Sequence, residues 1–126
     1  MREFSGLGGW VLKLTALSAD EPQRLVRFLG GALFSCGGWV LTRGTQGKDT
    51  AEMEFEFARG ACVEIYAVLI GCGLELSGDS HLQMAELCHC TKNLIESRAF
   101  EIARVELVVY RDARPAGAGY QVACAA

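Results

Sequence analysis

From Glu52 to Phe57 three glutamates alternate without a break with Met53, Phe55 and Phe57. A helix would scatter both sets around its axis, whereas a strand sends all three carboxylates to one side and the apolar side chains to the other. Carboxylates are not buried unpaired. The chain must therefore build a sheet with one face against a core and the other turned to water, a partner or basic neighbours such as Lys13.

The remaining patterns supply that sheet. Trp10, Leu12, Leu14 and Ala16 alternate with Val11, Lys13 and Thr15, which predicts a strand from Trp10 to Leu17 with the even positions inward. Asp20 as N-cap, Glu21, and Pro22, whose missing N–H costs nothing in a first turn, predict a helix from Pro22 to Phe34. Leu25, Val26, Phe28, Leu29, Ala32 and Leu33 follow at helical spacing, and Gly37-Gly38 stops it. Strands from Trp39 to Thr42 and from Glu52 to Phe57 read as a hairpin joined by the polar segment Arg43 to Thr50. Residues 61 to 96 exceed one crossover helix. Cys62, Ile65, Tyr66 and Leu69 form one stripe, which Gly71 and Gly73 weaken before Ser77-Gly-Asp-Ser80 breaks it. Ser80 with Gln83 spells a capping box for a second helix, from His81 to about Glu96, with Met84, Leu87, Cys88, Thr91, Leu94 and Ile95 on one side. The last strand is expected from Phe100 to Tyr110, with Val105, Leu107 and Val109 inward. Residues 111–126, rich in Ala and Gly around Pro115, form a tail, or Tyr120 to Cys124 adds an edge strand.

In order these elements are β-α-β-β-α-β, a split-βαβ arrangement in a single α+β domain, residues 1–126 with a core at 10–110. The expected sheet is four-stranded and antiparallel, with helices on one face and an additional helix before the last strand. Twelve basic against fifteen acidic residues, net −3, disfavour a phosphate backbone as partner. RNA-binding domains of this topology display aromatics on the open face where this chain displays acids. Near-apolar runs such as Ala67 to Leu74 fall short of a bilayer span, and the N-terminus lacks an apolar leader, so no membrane is expected and the cytoplasm is the expected compartment. Six cysteines then read as free thiols.

No constellation assembles a catalytic site. His81, Cys88, His89 and Cys90 have the right chemistry for zinc, but on a helix Cys88 and Cys90 project ~200° apart, so no metal site is expected. Gly6-Leu-Gly8-Gly9 precedes a strand instead of opening a helix and fails as a phosphate loop. His81 is the plausible general base, with Asp79 on a turn and no nucleophile placed beside it, so catalytic residues and cofactors are both expected to be none. Trp10 and Trp39 each follow a Gly-Gly pair and read as core anchors, with ligand stacking the alternative. Arg59, beside Gly60, is a surface salt-bridge partner or an anion clamp.

Leu14-Thr-Ala-Leu-Ser-Ala-Asp20-Glu-Pro22, followed by Leu25, Val26, Leu29 and Leu33 and then Gly37-Gly38-Trp39-Val40, resembles the ACT and ACT-like domain family over residues 10 to 110. The resemblance implies a ferredoxin-like βαββαβ sandwich that binds an amino acid or similar ligand as a homodimer, without catalysis. It places the ligand at Asp20, Gln23, Gly37, Gly38 and Trp39. Gln23 stands where the family commonly has a glycine, and Gly38-Trp39 where it often has a polar residue. Two alternatives remain: an interaction module without ligand, dimerising through outward Val40, Val108 and Tyr110, and a small cofactor-free enzyme.

Overall fold

The computed structural model describes residues 3–4, 10–92 and 101–112. Six strands form one sheet: β1 (Glu3–Phe4), β2 (Trp10–Ser18), β3 (Gly38–Gln46), β4 (Thr50–Ala58), β5 (Glu75–Leu76) and β6 (Ile102–Arg111). Three helices, α1 (Pro22–Ser35), α2 (Cys62–Gly71) and α3 (Gly78–Lys92), complete the described elements, with a 3-10 turn at Arg59–Ala61 between β4 and α2. Expectations on Gly6 to Gly9, on Leu94, Ile95, Glu96 and Phe100, and on residues 113–126 lie outside the described residues.

The α+β class stands, but the four-stranded antiparallel ferredoxin-like sheet does not. Strand order is β1-β2-β6-β4-β3, with β5 also on β2. β6 lies inside the sheet, parallel to β2 and antiparallel to β4. In an all-antiparallel split-βαβ sheet the last strand would sit outside the first, antiparallel to it. Alternation fixes which face of a strand is buried but not which strand lies beside it, so the pattern of β6 fits an interior or an edge position equally.

One core holds the molecule together. Leu12, Leu14, Met53, Phe55, Phe57, Val105 and Leu107 from the sheet meet Leu25, Leu29 and Leu33 of α1, Ile65 and Leu69 of α2, and Met84 and Leu87 of α3. The inward positions of β2, β4 and β6 are those that alternation predicts. Val40 is a correction. It pairs with Phe55 and packs half-buried against the core, because Trp39, opposite Glu56, takes the open face; a bulge between Val40 and Thr42 then inverts the alternation midway along β3. Beyond the bulge β3 runs on to Gln46, so the hairpin turn shrinks to residues 47–49, with Gly47 at φ 63°. Residues 43–46 are polar because that end of β3 is largely exposed, not because it is a loop.

α1 begins as expected at Pro22, but its N-cap is Glu21, and no side chain caps it. Asp20 instead donates its backbone N–H to Ser18 Oγ at 3.1 Å. Gly37, at φ 93°, turns the chain out of α1, a conformation that costs a side-chain-bearing residue. α3 starts a turn earlier than the capping-box reading. Ser77 Oγ accepts the Ser80 N–H at 3.1 Å, so Ser77 is the cap, and Ser80 and Gln83 lie inside the helix, buried. Two serines three residues apart offer two starts, and the edge of β2 selects between them.

That edge is closed in an unusual way. β1 pairs with Val11 and β5 with Leu17, leaving the outward backbone groups of Lys13 and Thr15 between them. Side chains of α3 take those groups. Gln83 accepts the Lys13 N–H at 3.1 Å and donates to the Lys13 carbonyl at 2.9 Å. Ser80 Oγ accepts the Thr15 N–H at 2.8 Å. Buried edge groups left unpaired would each cost on the order of 1–3 kcal/mol, so α3 is fixed against β2 through polar as well as apolar contacts.

Candidate functional site

The five residues singled out from sequence are not brought together. Asp20 and Gln23 stand at the start of α1, and Gly37, Gly38 and Trp39 follow its end. A 14-residue helix separates the groups by roughly 21 Å. Gly38 is buried, and a Cβ there would lie 3.2 Å from the Leu33 carbonyl oxygen and 3.3 Å from Ile65 Cδ1. Protein thus fills the space at Gly38, whereas a Cβ at Gly37 would meet nothing within 4 Å. Asp20 borders a recess of about 500 Å³ with Arg24, Arg27 and Phe28, and Gln23 borders another, of about 240 Å³, near Lys48 and Arg111.

The two tryptophans part company. Trp10 faces inward, 5% exposed, with the Arg59 guanidinium 4.9 Å above its ring. Trp39 lies on the open face, 39% exposed, and donates from Nε1 to Glu56 Oε1 at 3.0 Å. Arg59 is buried instead of superficial: Nη1 meets Glu101 Oε1 at 2.7 Å and Nε donates to Thr91 Oγ1 at 3.3 Å. It ties the end of β4 to α3 and to the start of β6, which is a structural role.

The glutamate row faces outward, but its basic neighbour is Arg104 on β6, since β6 separates Lys13 from β4. Arg104 Nη2 meets Glu54 Oε1 at 2.9 Å, and that hydrogen bond first, then the charges of Glu54, Glu56 and Glu106, raise its pKa above the usual guanidinium value.

Between α2 and α3, Tyr66 OH and His81 Nδ1 share a hydrogen bond of 2.6 Å. Asp79 does not orient His81; its carboxylate accepts from Gln83 Nε2 at 2.7 Å. Burial first, then the neighbouring Cys88, pushes the Tyr66 phenol up. Cys88 is itself pushed up to about 12, by burial, by its hydrogen bond with Cys62 and by the nearby Glu64. Such a thiol stays protonated at neutral pH and is a poor nucleophile. Cys36, Cys62, Cys72, Cys88 and Cys90 are free thiols.

A recess that sequence reasoning missed opens at one corner of the exposed face. It has a volume of about 520 Å³ and is lined by Thr15, Ala16 and Leu17 of β2, Glu75 and Leu76 of β5, Ser77 and Tyr110. Register explains the arrangement. Leu17 pairs with Glu75 on one side and Tyr110 on the other, so the three side chains form one row across three strands. All three line the recess. The signal in the sequence was the short alternation Leu74-Glu75-Leu76 after Gly73, too brief to be separated from a loop.

The hydroxyls at the rim are ordered. Ser80 Oγ lies 3.2 Å from the Thr15 carbonyl, which accepts only, so Ser80 donates there. Ser77 Oγ therefore donates to Ser80 Oγ at 2.8 Å, and Thr15 Oγ1 to Ser77 Oγ at 3.1 Å. The protons run inward, and the Thr15 lone pairs are left facing outward. Comparison of the chain with profiles of known protein families, with curated proteins and with solved structures found no match. Fold and recess together define an open-faced α+β domain with a mixed sheet and a corner pocket. No helix among the described residues is long and apolar enough to cross a membrane.

Proposed function

We propose that this chain is a non-catalytic domain that binds a small molecule of amino-acid size in the recess between β2, β5 and Tyr110. The observation that carries the reading is the recess itself. Its volume of about 520 Å³ falls in the range of small-ligand pockets, roughly 300–1,000 Å³, and it combines apolar walls with a few polar groups, as such pockets do. Binding there would join β5 to β6 across β2 and stabilise the native state by mass action. The test is a thermal-shift screen of amino acids, amines and related metabolites, repeated on Leu17→Glu. A dose-dependent rise in melting temperature that Leu17→Glu abolishes supports the reading. A rise that Leu17→Glu leaves unchanged puts the ligand elsewhere.

A second reading, a homodimer built on the open face, is favoured by Trp39, Leu17 and Tyr110, all exposed on it. That face carries Lys13 and Arg104 against Glu52, Glu54, Glu56 and Glu106. Two such faces repel, so association through them should strengthen as salt screens the acids. Sedimentation equilibrium at low and high salt checks this, with Trp39→Ser as the variant expected to be monomeric.

A further inference from the structure

We infer that the outer face of the helix layer docks a second copy of this chain, with the groove between α1 and α2 of one copy facing that of the other in reverse. The composition of α2 is the first observation. Between Cys62 and Gly71 only Glu64 is charged, and a helix apolar all round belongs in an interior. The core takes Cys62, Ile65 and Leu69. Val63, 62% exposed, and Ile70, 44% exposed, are left outside it together with Ala67. Beside them runs a groove of about 440 Å³, with Phe28, Ala32 and Cys36 on one wall and Ala67, Val68 and Gly71 on the other. Phe28 is 62% exposed, and a Cβ at Gly71 would meet nothing within 4 Å, so the groove pairs a projecting ring with open space.

Charge decides what covers this face. Past the end of α1, Gly38 lies against Ile65 near the start of α2, so the two helices run antiparallel along the groove. The Cys36 end of one wall therefore lies beside Glu64, and the Phe28 end beside Gly71 and Cys72. Next to Phe28, Arg24 and Arg27 share a recess with a single acid, Asp20, which leaves that end net positive. Arg24, Arg27 and Glu64 form no ion pair among the described residues. Two grooves can face each other about a two-fold axis in two ways. With the axis along the groove, like ends meet and arginines oppose arginines. With the axis across it, the ends are exchanged, and Arg24 and Arg27 of each copy stand over Glu64 of the other. The same exchange sets Val63 of one copy against Ile70 of the other and lays each Phe28 over the opposite groove. A uniformly acidic or basic partner would be attracted at one end and repelled at the other, whereas a second copy matches both. The helix layer lies across the sheet from the glutamate row, so this surface is independent of the recess and of the open face.

The experiment is sedimentation equilibrium of the full chain at low and high salt, on the parent and on variants at exposed positions whose fold is checked by circular dichroism. The parent should dimerise, and more weakly as salt screens the exchanged pairs, the opposite of the response expected for association through the open face. Ala67→Arg, which sets two arginines face to face at the middle of α2, should weaken the dimer about tenfold or more. Glu64→Arg should do the same, and so, separately, should Arg24→Glu combined with Arg27→Glu. Mixing these two charge variants should restore a dimer containing one of each, because every end then meets its opposite. A parent that stays monomeric overturns the inference, as does a dimer that Ala67→Arg and both charge variants leave intact, or a mixture of the charge variants that fails to associate. A dimer lost in Trp39→Ser but not in Ala67→Arg overturns it too, and belongs to the open face.

Discussion

The two long edges of this sheet solve one problem in opposite ways. β3 closes one side with its outward edge left without a partner strand among the described residues, and relies on a bulge at Val40/Thr42, polar residues and Gly44 to make that edge a poor template. β2 closes the other side under cover, with β1 at one end, β5 at the other and the Ser80 and Gln83 side chains between them. The difference teaches where function can sit. A bulged, exposed edge presents little that is fixed, whereas the capped edge holds hydroxyls, a carboxylate and a phenol ring in register around a recess.

Cutting the cap is the strongest way to break the comparison. Ser80→Ala and Gln83→Ala each strand backbone groups of β2, at about 1–3 kcal/mol apiece, so the double variant should lose roughly 2–6 kcal/mol in urea denaturation. A loss under ~0.5 kcal/mol, the scatter of ordinary surface changes, would mean that water serves the edge as well as α3 does. In the Ser80→Ala protein the Thr15 amide should also exchange with deuterium faster, and the β3 amides should not.

Alkaline pH attacks the same cap from behind, because α3 is held on α2 partly through Cys88 and Cys62. The Cys88 thiol keeps its proton up to about 12 when folded, against 9.0 for the ordinary thiol. Between those values the unfolded chain binds fewer protons than the native one, so stability falls as pH rises from 9.0 toward 12. Tyr66, also raised above its ordinary 10.0, adds in the same direction. The urea midpoint should decline over that window, and Cys88→Ala should show a shallower decline; equal slopes would remove Cys88 from the account.

Smaller effects sharpen the contrast. Arg104→Ala removes an ion pair whose side chains are 42% and 33% exposed, so solvent screening should leave the urea midpoint close to that of the parent. Leu41→Thr on the β3 edge should change stability by no more than about 0.5 kcal/mol. If Leu41→Thr proved as costly as Ser80→Ala, the two edges would not differ as described.

Much of the fold was legible in the chain. The alternations of β2, β4 and β6 gave the inward faces, Pro22 and Gly37 bounded α1, and the Met53/Glu54 alternation required an open face. The candidate recess was not legible. The residues chosen from the loop–helix motif fall at both ends of α1, while Thr15, Leu17, Glu75, Ser77 and Tyr110 lie up to 95 positions apart and meet only because β5 and β6 flank β2.

By itself, then, the sequence determined local conformation and which side of each strand turns inward, because those follow from side-chain period, proline and glycine geometry and the cost of burying charge. Only the tertiary structure decided that β6 runs parallel beside β2, that α3 begins at Gly78, and that Ser80 and Gln83 complete an edge. Each of these depends on which backbone donors and acceptors remain after distant segments have paired, and no local pattern records that remainder.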